Sequence, residues 1–265
     1  MSDQKTIINL KDVSVTRNNF DILTDINWRV RRGRCCAVVG PNGAGKSALV
    51  AVISGYLWPQ RGSVTVFGQT YGRVNLQDVR RRIGLIESSR MPHFDETMPI
   101  RDVVATGLFG TIVLPPNRKI SKQQWQKVDN QISFFKLEEQ KNIAMATVST
   151  GEQTKALIAR AMVSQPKMLI LDEPTSGLDM SNRAVVIEML NKLRNTKSAP
   201  AIVIISHRLD ELPQSLDEAV LLKKGKIIRQ GRPQDVFTSA NLSETFDCEV
   251  EVLRKNGSYL ASVKI

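Results

Sequence analysis

The chain has 265 residues, 42% of them hydrophobic, and its 37 basic against 26 acidic side chains give a net charge of +11. That is chain enough for one substantial core with a lobe attached, and no apolar run approaches the roughly 18–20 residues that span a bilayer. Cys35, Cys36 and Cys248 have the spacing of neither a disulfide framework nor a metal knuckle, and two histidines argue against a histidine-based metal centre.

The opening "MSDQKTIINL" lacks a charged stretch followed by an apolar one, so no secretory signal is read there and a cytoplasmic chain with reduced thiols is expected. From there to about residue 35 the sequence reads as strands. "TIINLKDVSVT" comes first, then "ILTDINWRV" with Ile22, Asp25, Ile26 and Trp28 in rough alternation. "CCAVV" is a continuous apolar run, as in a parallel strand buried on both faces.

"GPNGAGKS" follows, with helical periodicity from Ala48 to Leu57 behind it. The spacing G-x-x-x-x-G-K-S is that of a phosphate cradle. Glycines let backbone N–H groups converge without a Cβ in the way, and the helix N-terminus adds its dipole. Lys46 would reach the β- and γ-phosphates, and Ser47 would ligate Mg²⁺.

After the short strand "GSVTVFG" the texture changes at about residue 91. "MPHFDETMP" is loop-like and "IRDVVATGLFG" begins helical. Ser121 with Gln124 forms a capping-box pattern, behind which Trp125, Val128, Ile132 and Phe135 lie on one helical face. "STGEQTKALIARAM" opens a further helix at a Ser-x-Gly turn, an anion site in a position that does not fold back onto its own phosphate loop.

Strand-like runs return in "MLILD", "AIVIIS", "AVLLKK" and "KIIRQ". The first ends in Asp172, placed to hold magnesium, and Glu173, placed to orient a water beside the γ-phosphate. "IVIISHR" puts His207 just past a core strand, where a γ-phosphate sensor would stand; taken alone, a histidine there is more often structural. Asn256-Gly257, between two alternating runs, signals a terminal hairpin.

In this order the pieces resemble the ATP-binding cassette (ABC) ATPase family over nearly the whole chain. "GPNGAGKS" resembles its Walker A motif, "LILDE" its Walker B motif with Glu173 as catalytic base, "SGLD" its D-loop, His207 its switch histidine and "VSTGEQ" its signature. The resemblance implies an α/β P-loop (RecA-like) core with an N-terminal antiparallel β subdomain and an inserted helical subdomain. The expected division is a nucleotide-binding core of 1–90 and 166–235, a helical signature subdomain of 91–165 and a C-terminal β-hairpin extension of 236–265.

It further implies a head-to-tail dimer, expected to be a homodimer, that buries two ATP molecules with Mg²⁺. Each ATP would touch Lys46 and Ser47 of one copy and Ser149 and Gly151 of the other, with Gly40, Asn42, Gly43, Gly45 and Asp179 also expected to bind nucleotide. Thr150 and Glu152 depart from the signature. Ser88 or Ser89 stands where the family carries a metal-ligating glutamine, with a weaker or water-mediated metal contact expected, and Arg17 occupies the approximate place of the adenine-stacking aromatic, with Phe20 nearby.

"TMPIRDVVATG" and the C-terminal tail resemble importers of metal chelates, and "RNNFDILTDINWRV" with "IESS" resembles molybdate-transport-like cassettes. The expectation is an ATPase subunit peripheral to the inner face of the cell membrane that drives a separate membrane-spanning permease. The permease's coupling helix would dock on the loop from Met91 to Met98 and the helices behind it. The basic runs at Arg29–Arg34, Arg80–Arg82 and Lys223–Lys226 suit anionic headgroups, although each alone reads as a solvated surface. A non-transport, non-hydrolysing regulatory ABC protein is an alternative that intact Lys46, Asp172, Glu173 and His207 argue against, and a soluble ABC ATPase acting on nucleic acid or ribosomes also fits the charge. It is disfavoured because the chain has no coiled-coil insertion and only one cassette.

Overall fold

The structure, a computed structural model, describes residues 6–87, 92–117, 119–196 and 199–264. Strands β1 (Thr6–Arg17) and β2 (Phe20–Arg31) form a hairpin whose turn, Asn18-Asn19, takes positive φ at both residues, 51° and 63°. That primed turn matches the right-handed twist of the strands it joins. β3 (Cys35–Val39) is buried at every residue and leads through the glycine loop into α1 (Lys46–Ile53). β4 (Arg61–Val66) and β5 (Gln69–Thr70) complete an antiparallel sheet of order β2-β1-β4-β5.

A short helix α2 (Leu76–Arg80) precedes β6 (Ile83–Glu87). Three helices follow: α3 (Ile100–Thr106), α4 (Lys122–Phe134) and α5 (Thr150–Met162). Both halves of the Ser121–Gln124 capping box are formed, and Val128, Ile132 and Phe135 are buried. The chain then runs through β7 (Met168–Asp172), α6 (Met180–Arg194), β8 (Ala201–Ser206), β9 (Glu218–Lys223) and β10 (Lys226–Gly231). Two further helices, α7 (Pro233–Val236) and α8 (Ser239–Phe246), lead to the hairpin of β11 (Val250–Lys255) and β12 (Ser258–Val263).

The central sheet has the order β10-β9-β3-β8-β7-β6, with only the β9–β10 pair antiparallel. Because successive strand residues face opposite sides, β3 divides its residues between two cores. Cys36 and Val38 pack with α1 and the antiparallel sheet, whereas Cys35, Ala37 and Val39 pack with the helical region, α6 and the C-terminal elements. Both adjacent cysteines are therefore sealed, one in each core, while Cys248 is partly exposed. Among the described residues no helix is long and apolar enough to cross a membrane.

Three local readings change. In β2 the buried set is Leu23, Ile26, Trp28 and Val30, not one begun by Ile22 and Asp25. Asp25 takes φ 50° at a register irregularity, and this bulge shifts the alternation by one residue. The helix after the glycine loop starts earlier and ends earlier than its periodicity: it stops at Ile53, where Ser54 Oγ donates back to the Val50 carbonyl and Gly55 turns at φ 70°. The C-terminal segment holds α8 as well as the hairpin, with Thr238 capping that helix through Asn241 N–H.

Candidate nucleotide site

The glycine loop leaves the C-terminal end of β3 at the middle of the parallel sheet, where open α/β sheets place ligands. Gly45, the N-cap of α1, has φ 101°, and a Cβ there would lie 2.8 Å from the Ile22 carbonyl oxygen. Only glycine satisfies both restrictions. β2 thus lies directly against the start of α1, and a cavity of about 340 Å³ opens beside it. Asn42, Gly43, Gly45, Lys46 and Ser47 line the cavity together with Ile22, Asp172 and Glu173.

Lys46 is almost fully buried, and its ammonium donates to the carbonyls of Gly40 (2.8 Å) and Pro41 (2.9 Å). Burial lowers its pKa, partly offset by the charges of Glu173 and Asp172. Ser47 Oγ donates to Asp172 Oδ2 at 3.0 Å. Burial raises the Asp172 pKa, and this hydrogen bond and Lys46 work against the rise. Ser47 and Asp172 therefore present two hard oxygen donors side by side. Magnesium is commonly held by one or two protein oxygens, with water and phosphate completing its shell, and this pair fits it.

Glu173 sits just past β7 in the left-handed region, φ 52°, with its N–H donating to the Ile205 carbonyl. That conformation costs on the order of 1 kcal/mol for a non-glycine residue and is held here by the sheet. His207 Nδ1 and Glu173 Oε1 share a hydrogen bond of 3.0 Å. When the carboxylate is ionised it only accepts, and the shared proton is then carried by Nδ1. The sequence thus placed Lys46, Ser47, Asp172, Glu173 and His207 in what the structure brings together as one cluster.

Other anticipated residues lie elsewhere. Ser149 caps α5 in a complete capping box with Glu152, and neither Ser149, Gly151 nor Asp179 lines the cavity. Asp179 caps α6 by accepting from Asn182 N–H at 2.8 Å. Arg17 pairs with Phe20 beside the β1–β2 turn, and neither lines the cavity. Ser88 and Ser89 lie outside the described residues; Glu87 before them is registered opposite Asp172. Ile22 and Ala48 are lining residues that sequence reasoning missed; Ile22, only partly buried, reaches the cavity because the bulge at Asp25 shifts the alternation of β2.

The family model described as "ABC transporter" matches residues 23–176. An uncharacterized ABC transporter ATP-binding protein of Lactococcus lactis is 32% identical over 257 residues, spanning 96% of this chain and 97% of that protein. The petrobactin import ATP-binding protein of Bacillus subtilis is 24% identical over 247 residues, spanning 93% and 95%. Among solved structures, CbiO1 of Clostridium perfringens, part of the ABC transporter complex CbiONQ, superposes with TM-score 0.77 at 25% identity, over 91% of this chain and 94% of that one.

Proposed function

The chain belongs to the ABC transporter family of ATP-binding subunits and is an ATPase, and from that premise we propose that two copies close head to tail around two ATP molecules and drive a separate membrane permease. One observation carries this reading. The phosphate loop, Asp172 and Glu173 line one cavity, while Ser149, Gly151 and Asp179 stand outside it on the N-termini of two other helices. A second copy supplies what the cavity lacks.

In this reading the core of 1–90 and 166–235 holds the nucleotide, 91–165 carries the signature and 236–265 is an appended extension. Lys46 leaves the Gly40 and Pro41 carbonyls to meet the β- and γ-phosphates, an exchange of neutral acceptors for charged ones. Backbone N–H groups from Gly43 to Ser47 take the phosphate oxygens at the α1 N-terminus. Ser47 and Asp172 would hold Mg²⁺, which would supply charge neutralisation at the phosphates. Glu173 orients a water for in-line attack, and His207 holds the Glu173 carboxylate in place. Arg17 stacks on the adenine only if the hairpin end closes over the cavity.

For cargo we propose a metal chelate or an oxyanion-like solute moving inward. The support is the segment from Thr97 to Gly107, the terminal hairpin and the likeness to a petrobactin import protein. The permease docks where the core meets the helical region. There a groove of about 520 Å³ is lined by Tyr56, Arg80, Leu108, Phe109 and Arg160. The +11 charge supports a position against anionic headgroups at the inner membrane face. The test is Glu173→Gln with saturating ATP. Hydrolysis should be nearly lost and a stable dimer should appear by sedimentation, whereas normal turnover would remove Glu173 from its role. Purification of the native assembly should bring a multi-span membrane protein; nucleic acid in its place would reverse the transport assignment.

A further inference from the structure

The N-termini of the two partner-facing helices are bridged inside one chain by a side chain that the mechanism above does not use. Asn182 stands in the first turn of α6. Its backbone N–H donates to Asp179 Oδ1 at 2.8 Å and its Nδ2 to Asp179 Oδ2 at 2.9 Å, and Ser181 Oγ also donates to Oδ1 at 2.8 Å. Both carboxylate oxygens of Asp179 are therefore committed to this turn, and the Asn182 bonds hold its carboxyl below the ordinary range.

The other end of the same amide rests on the signature. A Cβ added to Gly151 would lie 2.2 Å from Asn182 Oδ1 and 2.5 Å from its Cγ. Gly151 is buried where Thr150, at the position of the signature's other glycine, is exposed. The side chain at 150 points to solvent, whereas the space above the Gly151 Cα is filled by the Asn182 side chain. Arg183, the next residue, pairs with Asp210 at 3.0 Å and so fixes the same turn to the segment after His207.

We propose that Asn182 is a positioning residue that locks the N-termini of α5 and α6 together, so that Ser149, Gly151 and Asp179 meet the partner copy's nucleotide as one preformed surface. The inference rests on the head-to-tail reading. Asp179 keeps its bond to the residue 182 backbone whatever side chain stands there. What the Asn182 amide adds is the contact between helices, and alanine is the better helix former. Loss of the amide therefore loosens the surface without unravelling α6. Preorganisation of this kind is read in assembly, not in binding to one copy.

The experiment places Asn182→Ala and Asn182→Asp in the Glu173→Gln chain and follows ATP-driven dimerisation by sedimentation. Binding of a fluorescent ATP analogue to the single copy is measured alongside. Nucleotide affinity should stay within about twofold, and the dimer dissociation constant should rise about tenfold or more, as for a lost bond to a charged group. Asn182→Asp keeps the shape over Gly151 but cannot donate to Asp179, so it should fare no better than alanine. With Glu173 intact, the hydrolysis lost in Asn182→Ala should return as protein concentration is raised, which a misfolded variant would not show. Gly151→Ala should block assembly, and should cost markedly less when combined with Asn182→Ala. Unchanged assembly in both Asn182 variants, or additive effects in the pair, would overturn the proposal alone. A Glu173→Gln parent that stays monomeric would overturn both it and the head-to-tail reading.

Discussion

Helices α1 and α5 both begin at small residues, yet their N-termini are prepared in opposite ways. α1 starts at Gly45 with no side-chain cap and no acidic residue in its first turn, beneath β2 and beside a cavity. α5 starts at an exposed Ser149 whose N–H and hydroxyl both donate to Glu152, at 2.9 and 2.8 Å, while its Oγ accepts from Glu152 N–H. An uncapped terminus has donors waiting for whatever enters. A capped one is satisfied in the isolated chain and has to exchange its partner before it can hold a phosphate. In the head-to-tail reading proposed above, the difference separates a site that binds nucleotide alone from one that works only against another copy.

The hardest test of this contrast is Lys46→Ala. Removing a buried ammonium aimed at phosphates should weaken single-copy ATP affinity about 100-fold, as measured by titration calorimetry. Affinity equal to wild type would make the α1 end no different from the α5 end. Ser149→Ala should behave the other way round. Single-copy affinity should stay within about twofold while steady-state hydrolysis falls about tenfold, since the lost donor acts only in the assembled dimer. A Ser149→Ala chain with weak single-copy binding would show that the two termini serve one cavity.

The smallest effect belongs to Glu152→Gln, which keeps the capping box but removes a negative charge from the place a phosphate should approach. Assembly at neutral pH should tighten about threefold, within the range of a charge at a helix terminus. The Ser149 bonds hold the Glu152 carboxyl below its usual value. The charge is therefore present above the ordinary carboxylate range, and the advantage of the variant should vanish only as pH falls through that lowered pKa. A pH-independent difference in sedimentation would assign the effect to shape, not charge.

What the sequence made legible was local and periodic. "CCAVV" reads as a strand buried on both faces because the run has no polar position, and Ser121 with Gln124 announces a helix start through two reciprocal bonds. Asn256-Gly257 reads as a tight turn because both residues tolerate positive φ, here 50° and 81°. What stayed hidden depended on the chain bending. The bulge at Asp25 turns Ile22 to the cavity against the simple alternation, and no pattern of residue types announces it. The Asn182–Gly151 contact joins residues 31 apart on different helices, so neither motif taken singly shows it.

The two sealed cysteines of β3 have a practical consequence. Burial pushes the Cys35 thiol up to about 12 and Cys36 higher still, so neither forms a thiolate at working pH. Cys248, by contrast, lines an open groove beside the terminal hairpin. Each copy therefore already carries one addressable handle. A maleimide spin label there would give a single inter-label distance per assembled pair, and the approach of two chains could be followed without first engineering a cysteine-free background.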